Sequence, residues 1–132
     1  MHTNWLVVIE SAGVQPRFKA NQFSYENLYV TAKKLPADCA TKKDVRDELD
    51  RIDSELVTFF AERHSYVTRM AELKEDPHEA VVPERIEAVI KKVRAQAGDL
   101  HMDEDQAELI WRTLINWNIN YEKGIIAARH RS

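Results

Sequence analysis

Arg63 and Lys74 stand eleven positions apart, in a stretch where the residues at helical spacing are otherwise apolar. At 100° per residue the two point within about 20° of each other. Val67 and Met70 fall between them on the same strip. A charge on a buried face is costly unless it is paired, so two cations on one strip require anions. These could be protein carboxylates or a ligand that carries carboxylates. Asn118 and Glu122, four residues apart near the C-terminal end, place an amide and a carboxyl on one face of another helix. If the two strips face each other, they form a pocket with two cations, an amide and a carboxyl. The other arrangement is a buried ion pair such as Arg63–Glu122 with no ligand. Periodicity does not choose between them.

Arg46 lies about 100° away from the Arg63 strip. It is either a solvated surface arginine or a residue that reaches the pocket of a second copy. Other chemistries find little support. The histidines at 2, 64, 78, 101 and 130 show no metal-ligand spacing, and His64 is expected to be exposed on its helix. Cys39, the single cysteine, can complete neither a zinc motif nor an internal disulfide, which fits a reducing compartment. Gly-rich phosphate loops and G-x-S-x-G elbows are absent.

The bulk properties agree with a small helical protein. The 132 residues suit one domain, and 44% hydrophobic with 31% charged is a globular balance. A net charge of −3 offers no basic footprint for nucleic acid. No segment approaches the roughly 20 apolar residues of a membrane span. The apolar run Trp5–Ile9 is short for a signal-peptide core, and no Lys or Arg precedes it. A cytoplasmic location is expected.

Three helices must position these groups. The first is expected from about Lys42 to Glu75, capped by Thr41, with Asp44, Asp47 and Glu48 at the positive end of its dipole. Its inward strip reads Val45, Leu49, Ile52, Leu56, Phe60, Arg63, Val67, Met70, Lys74. A loop over 76–82 leads to a second helix that starts at Pro83. Ile86, Val89, Ile90 and Val93 form its apolar face, and Gly98 is its expected stop. A third helix follows Asp103, with Gln106 placed for a capping box, and runs to about Ala128. It carries two stripes, Ile110–Leu114–Trp117–Tyr121 and Trp111–Ile115–Asn118–Glu122. Residues 1–37 sustain no helical period and form an N-terminal extension of unassigned role. Trp5–Ile9 and Tyr29–Thr31 could be short strands within it.

A helix of some 34 residues is about 50 Å long. A domain of about 95 residues is roughly 30 Å across. The first helix therefore overhangs its domain, and its apolar strip would meet water along the overhang. A homodimer in which the long helices share one core removes that exposure. No Pro or Gly is present to kink the helix back on itself.

Three segments resemble a known family. Asp44-Val-Arg-Asp-Glu-Leu-Asp-Arg-Ile-Asp53, Ala61-Glu-Arg63 and the later Lys74 are similar to the first helix of the all-helical (AroQ-type) chorismate mutases. Pro83-Glu-Arg-Ile86 is similar to the start of their second helix. Asp38-Cys39, the short loop to Pro83, and Asn116-Trp117 resemble the isochorismate pyruvate lyase branch. The resemblance covers about residues 36–128. It implies an all-α, three-helix chorismate mutase type II fold over residues 38–132, as an intertwined homodimer.

The resemblance also implies roles. Arg63 and Lys74 match the family's two site cations, and Arg46 matches the arginine lent by the partner subunit. Glu122 matches a position that is usually Gln and sometimes Glu. Asn118 matches a variable polar position, and Glu84 a carboxylate that contacts a substrate hydroxyl. Lys74, Glu122 and Arg63 would be catalytic, with Arg46, Glu84 and Asn118 also binding substrate. Pro83 departs from the pattern, because many mutases have a further arginine there and the lyase branch does not. The implied activity is rearrangement of chorismate to prephenate, with no metal and no cofactor. The first alternative is elimination of pyruvate from isochorismate to leave salicylate. The second is a non-catalytic helical dimer that binds a carboxylate ligand or a protein partner.

Overall fold

A computed structural model describes residues 28–29 and 31–131. The described chain is all-helical. Helix α1 spans Lys42–Leu73, α2 spans Pro83–Asp99 and α3 spans Glu104–Arg131, with short 3-10 turns at Pro36–Asp38 and Pro77–Ala80. No strand occurs among the described residues. None of the described helices is long and apolar enough to cross a membrane.

Helix α1 begins at a reciprocal cap. The Asp44 N–H donates to Thr41 Oγ1 at 3.1 Å, and the Thr41 N–H donates to Asp44 Oδ2 at 3.3 Å. Two orphan donors of the first turn are thereby satisfied. The helix ends two residues before the expected Glu75. Lys74 already has extended backbone, at φ −81° and ψ 136°. The cause lies just downstream, where Asp76 caps the next turn through the His78 N–H at 2.8 Å and precedes Pro77. Both features hold Asp76 itself in extended backbone, at φ −119° and ψ 136°, so the helix must end before it.

Helix α2 starts at Pro83 as expected but does not stop at Gly98. The left-handed residue is His101, with φ 59°. Its N–H bonds the Gly98 carbonyl at 3.2 Å, and the Met102 N–H bonds the Ala97 carbonyl at 2.8 Å. This is a Schellman closure three residues past the expected glycine. Asp103 then caps α3, its Oδ1 accepting from the Gln106 N–H at 2.9 Å.

Helix α3 is the hub. It packs against α2, the Pro77–Ala80 turn and α1. Ile90 and Ala97 of α2 are buried, as are Ala107 and Ile126 of α3, Ala71 of α1 and Ala80 of the turn. Four of these six are alanines, which let the backbones approach closely. Of the two stripes on α3, the one carrying Asn118 and Glu122 faces inward. Trp117, on the other, is 58% exposed.

No described helix covers the N-terminal part of α1 in the same way. Val45, Leu49, Ile52, Leu56 and Phe60 are between 36% and 52% exposed. Residues 31–40 lie beside its first turns. The Lys33 N–H donates to Glu48 Oε1 at 3.2 Å, Arg51 Nη1 to Thr31 Oγ1 at 2.7 Å, and Lys34 Nζ to Asp44 Oδ1 at 3.0 Å. Tyr29 and Thr31 form part of a turn closed by the Ala32 N–H on the Tyr29 carbonyl at 3.1 Å, not the expected strand. A strand needs a paired neighbour, and the described residues supply none. The other expected strand, Trp5–Ile9, lies outside the described residues.

Candidate active site

The end of α1 and the middle of α3 meet at one charged contact. Lys74 Nζ donates to Glu122 Oε1 at 3.0 Å, with the two side chains 15% and 8% exposed. Lys74 owes its position to the end of α1, where the chain leaves the helix and its side chain turns toward α3. Glu122 owes its burial to its register on α3, since Asn118, Glu122 and Ile126 repeat every four residues on the inward face. Tyr121, next to Glu122, ties the same helices together through a 3.0 Å hydroxyl contact with Thr68.

Arg63 lies eleven residues upstream of Lys74, about 16 Å along the helix. It is half-buried, and no carboxylate among the described residues pairs with it. Burial, and secondarily the positive charge of Arg85, hold its guanidinium below the ordinary arginine value. The ion pair is therefore Lys74–Glu122 and not the Arg63–Glu122 pair considered from periodicity. The reason is axial position: Glu122 lies level with the end of α1, two to three turns beyond Arg63.

Asn118 is 7% exposed, and its side-chain amide makes no hydrogen bond to a described residue. Glu84 is exposed on the first turn of α2 and no described contact joins it to Lys74 or Glu122. Arg46 is exposed near the start of α1, 28 residues and about 42 Å from Lys74 along the helix. It cannot reach the Lys74–Glu122 contact of its own chain. So the fold joins Lys74 with Glu122, puts Arg63 on the same strip, sets Asn118 one turn from Glu122, and leaves Arg46 and Glu84 apart.

His64 is not the exposed residue expected. It is half-buried, with its ring centroid 4.7 Å from Tyr121 and 5.9 Å from Trp117. Tyr121 and Trp117 are themselves stacked at 5.5 Å. The face of α1 turned toward α3 is wider than the single strip, and it includes the neighbour of Arg63. Two further groups were not singled out from sequence. Arg85 adds positive potential at Arg63. Arg129 donates from Nη1 to the Ala71 carbonyl at 3.1 Å and from Nη2 to the Lys74 carbonyl. The signal for Arg129 was available, because it lies seven residues after Glu122 and so on the same face of α3.

A cavity of about 190 Å³ opens at the far end of α1, lined by Tyr29, Pro36, Cys39, Leu49, Ile52 and others. It is remote from Lys74 and Glu122 and shares no residue with them.

The described chain is all-α, brings a lysine and a carboxyl together between its first and last helices, and keeps on the same strip an arginine that pairs with no described carboxylate. The chorismate mutase type II family profile matches residues 45–123, well over half of the chain, and the chain belongs to that family. It is also similar to an isochorismate pyruvate lyase of Pseudomonas aeruginosa, at 29% identity over 86 residues, which span 65% of this chain and 85% of that protein.

Proposed function

We propose that the protein is a chorismate mutase that works as a homodimer and converts chorismate to prephenate. One observation carries this reading: Arg63 is half-buried and pairs with no carboxylate among the described residues, on the same strip as the buried Lys74–Glu122 pair. A structural ion-pair network would neutralise its cations. A bare guanidinium on an inward face is better explained by an anion that arrives from outside.

Chorismate is a dicarboxylate with an enolpyruvyl ether, and its rearrangement is pericyclic. One C–O bond breaks as one C–C bond forms, with no nucleophile required. The protein must hold a compact conformer and stabilise the negative charge that develops on the ether oxygen. Arg63 grips one carboxylate, a planar guanidinium suiting bidentate contact. Lys74 stands beside the ether oxygen and donates to it. Glu122 holds the Lys74 ammonium from the protein side at 3.0 Å, and the Asn118 amide, which bonds no described residue, offers a further contact. Glu84 reaches a substrate hydroxyl.

The second carboxylate falls to Arg46. It lies about 42 Å from its own chain's Lys74, so it serves the site of a second copy. The exposed apolar strip of α1 supports the same dimer. Two long helices that cover each other's strips would bury Val45, Leu49, Ile52 and Leu56 and carry each Arg46 to the other subunit's site.

A second reading is elimination of pyruvate from isochorismate, leaving salicylate. The named activity of the Pseudomonas relative and the proline at position 83 favour it. Pure protein given chorismate and, separately, isochorismate decides. Prephenate from chorismate supports the mutase, and salicylate with pyruvate from isochorismate supports the lyase. Turnover of neither substrate overturns both.

A further inference from the structure

Helix α1 ends without a basic residue in its own last turn. Its final carbonyls carry the negative end of the helix dipole and have no partner within the helix. Helix α3 supplies the partner. The Arg129 guanidinium donates to the carbonyls of Ala71 and Lys74 and reaches that of Glu72. The neighbouring His130 ring contacts the Glu75 carbonyl through Nε2.

The consequence concerns Lys74. This residue has left the helix, with ψ 136°, so the helical ladder does not fix its orientation beyond the single bond from its N–H to Met70. Two groups on one face of α3 hold it from opposite ends. Glu122 takes the ammonium at 3.0 Å, and Arg129, seven residues on, takes the carbonyl. We propose that Arg129 is a positioning residue. By clamping the carbonyls at the end of α1, it sets where the Lys74 ammonium stands relative to Glu122 and to a bound substrate. Arg129 touches neither the substrate nor the Glu122 carboxyl. It acts through the main chain of Lys74.

A guanidinium suits this task because its fork of donors spans several carbonyls at once, and a lysine ammonium keeps the charge without the fork. Glutamine at 129 loses the charge and most of the reach. The catalytic consequence rests on the function proposed above, but the placement of Lys74 can be measured without turnover.

The experiment uses the full chain with Arg129→Lys and Arg129→Gln, and Arg131→Gln as a control. The first readout is the side-chain ammonium resonance of Lys74 in ¹⁵N-labelled protein without substrate, assigned by its loss in Lys74→Arg. In Arg129→Gln this resonance should move toward that of a free lysine, lie between in Arg129→Lys, and stay in place in Arg131→Gln. The second readout is kinetics on the substrate that the native protein turns over. Arg129→Gln should lower kcat by about 10- to 100-fold, the scale of a misplacement near 1 Å. KM should change by less than about threefold, because the lost contact acts in the transition state. Arg129→Lys should recover part of kcat.

An unmoved Lys74 resonance in folded Arg129→Gln overturns the proposal, as does a fall in kcat that only tracks the unfolded fraction at assay temperature. If the native protein turns over neither substrate, the functional reading fails, and the ammonium resonance alone still decides the role of Arg129.

Discussion

The ammonium of Lys74 and the carboxylate of Glu122 face each other at 3.0 Å across the seam between α1 and α3, both largely shielded from water. Removing one partner leaves the other charge in a poorly solvated place. Lys74→Ala should cost about 2–3 kcal/mol of stability, below the range for fully buried pairs because Lys74 keeps some exposure. It should also lower kcat/KM by at least about 10²-fold, the scale of losing one preorganised donor. Chemical denaturation and steady-state kinetics on the same preparation measure both. Near-native turnover would remove Lys74 from the site.

Glu122→Gln tests the counter-charge at this position. A glutamine amide keeps the shape and can still accept from Lys74, but it leaves the ammonium without a neutralising charge. Chemical denaturation should show a loss of stability. An unchanged midpoint would mean that the pair contributes nothing to the fold.

Arg63 gives the opposite signature to Lys74. Its guanidinium is half-buried beside the charge of Arg85, and burial disfavours its charged form. Arg63→Met keeps the bulk and removes the cost, so the ligand-free protein should melt at the same temperature or a few degrees higher. Activity should fall by at least about 10²-fold. A marked loss of thermal stability would show that Arg63 is paired in the fold and would revive the structural ion-pair reading.

Arg46 provides the test of shared sites. Arg46→Ala and Lys74→Ala homodimers should each be nearly inactive. Unfolded together and refolded, half of the dimers should be mixed, with one of their two sites intact, so about a quarter of native activity should return. No recovery in a mixture shown to contain mixed dimers would place Arg46 outside the partner's site. The proposed interface has its own check. Leu56 is 46% exposed in the single chain. The native protein should sediment as a dimer, and Leu56→Glu, which would bury a charge there, as a monomer.

The start of α1 is acid-sensitive. The ammonium of Lys34, and next the N–H of Ala40, hold the Asp44 carboxyl below the ordinary value of 3.8. A depressed acid stabilises the fold above its unfolded value, and this is lost as pH falls through the folded one. Thermal melts of native protein and Asp44→Asn should differ at neutral pH and converge as pH falls through the lowered Asp44 value. A gap that persists in acid would mean that the ionised carboxylate is not what matters.

Much of this protein was legible in its residues, because helical periodicity is a local property. Apolar steps of three and four over 45–70, Thr41 and Asp103 as caps, and Pro83 as a first-turn residue determined three helices and most of their bounds. The same periodicity put Arg63 with Lys74, and Asn118 with Glu122. The helix ends were less legible. The stop at His101 in place of Gly98 depends on a closing pair of hydrogen bonds that no propensity announces, and the early end at Leu73 on a cap formed by the residues that follow.

Only the tertiary structure decided which charges meet. Lys74 rather than Arg63 pairs with Glu122 because contact between helices depends on how far along each axis they cross, and periodicity reports direction around an axis only. The same crossing turned His64 inward against Tyr121, and it brought Arg129 onto the carbonyls of Lys74 and its neighbours. The two cations on one strip, marked by the sequence as needing anions, therefore have different fates. One is paired with Glu122 inside the fold, and the other meets no carboxylate among the described residues.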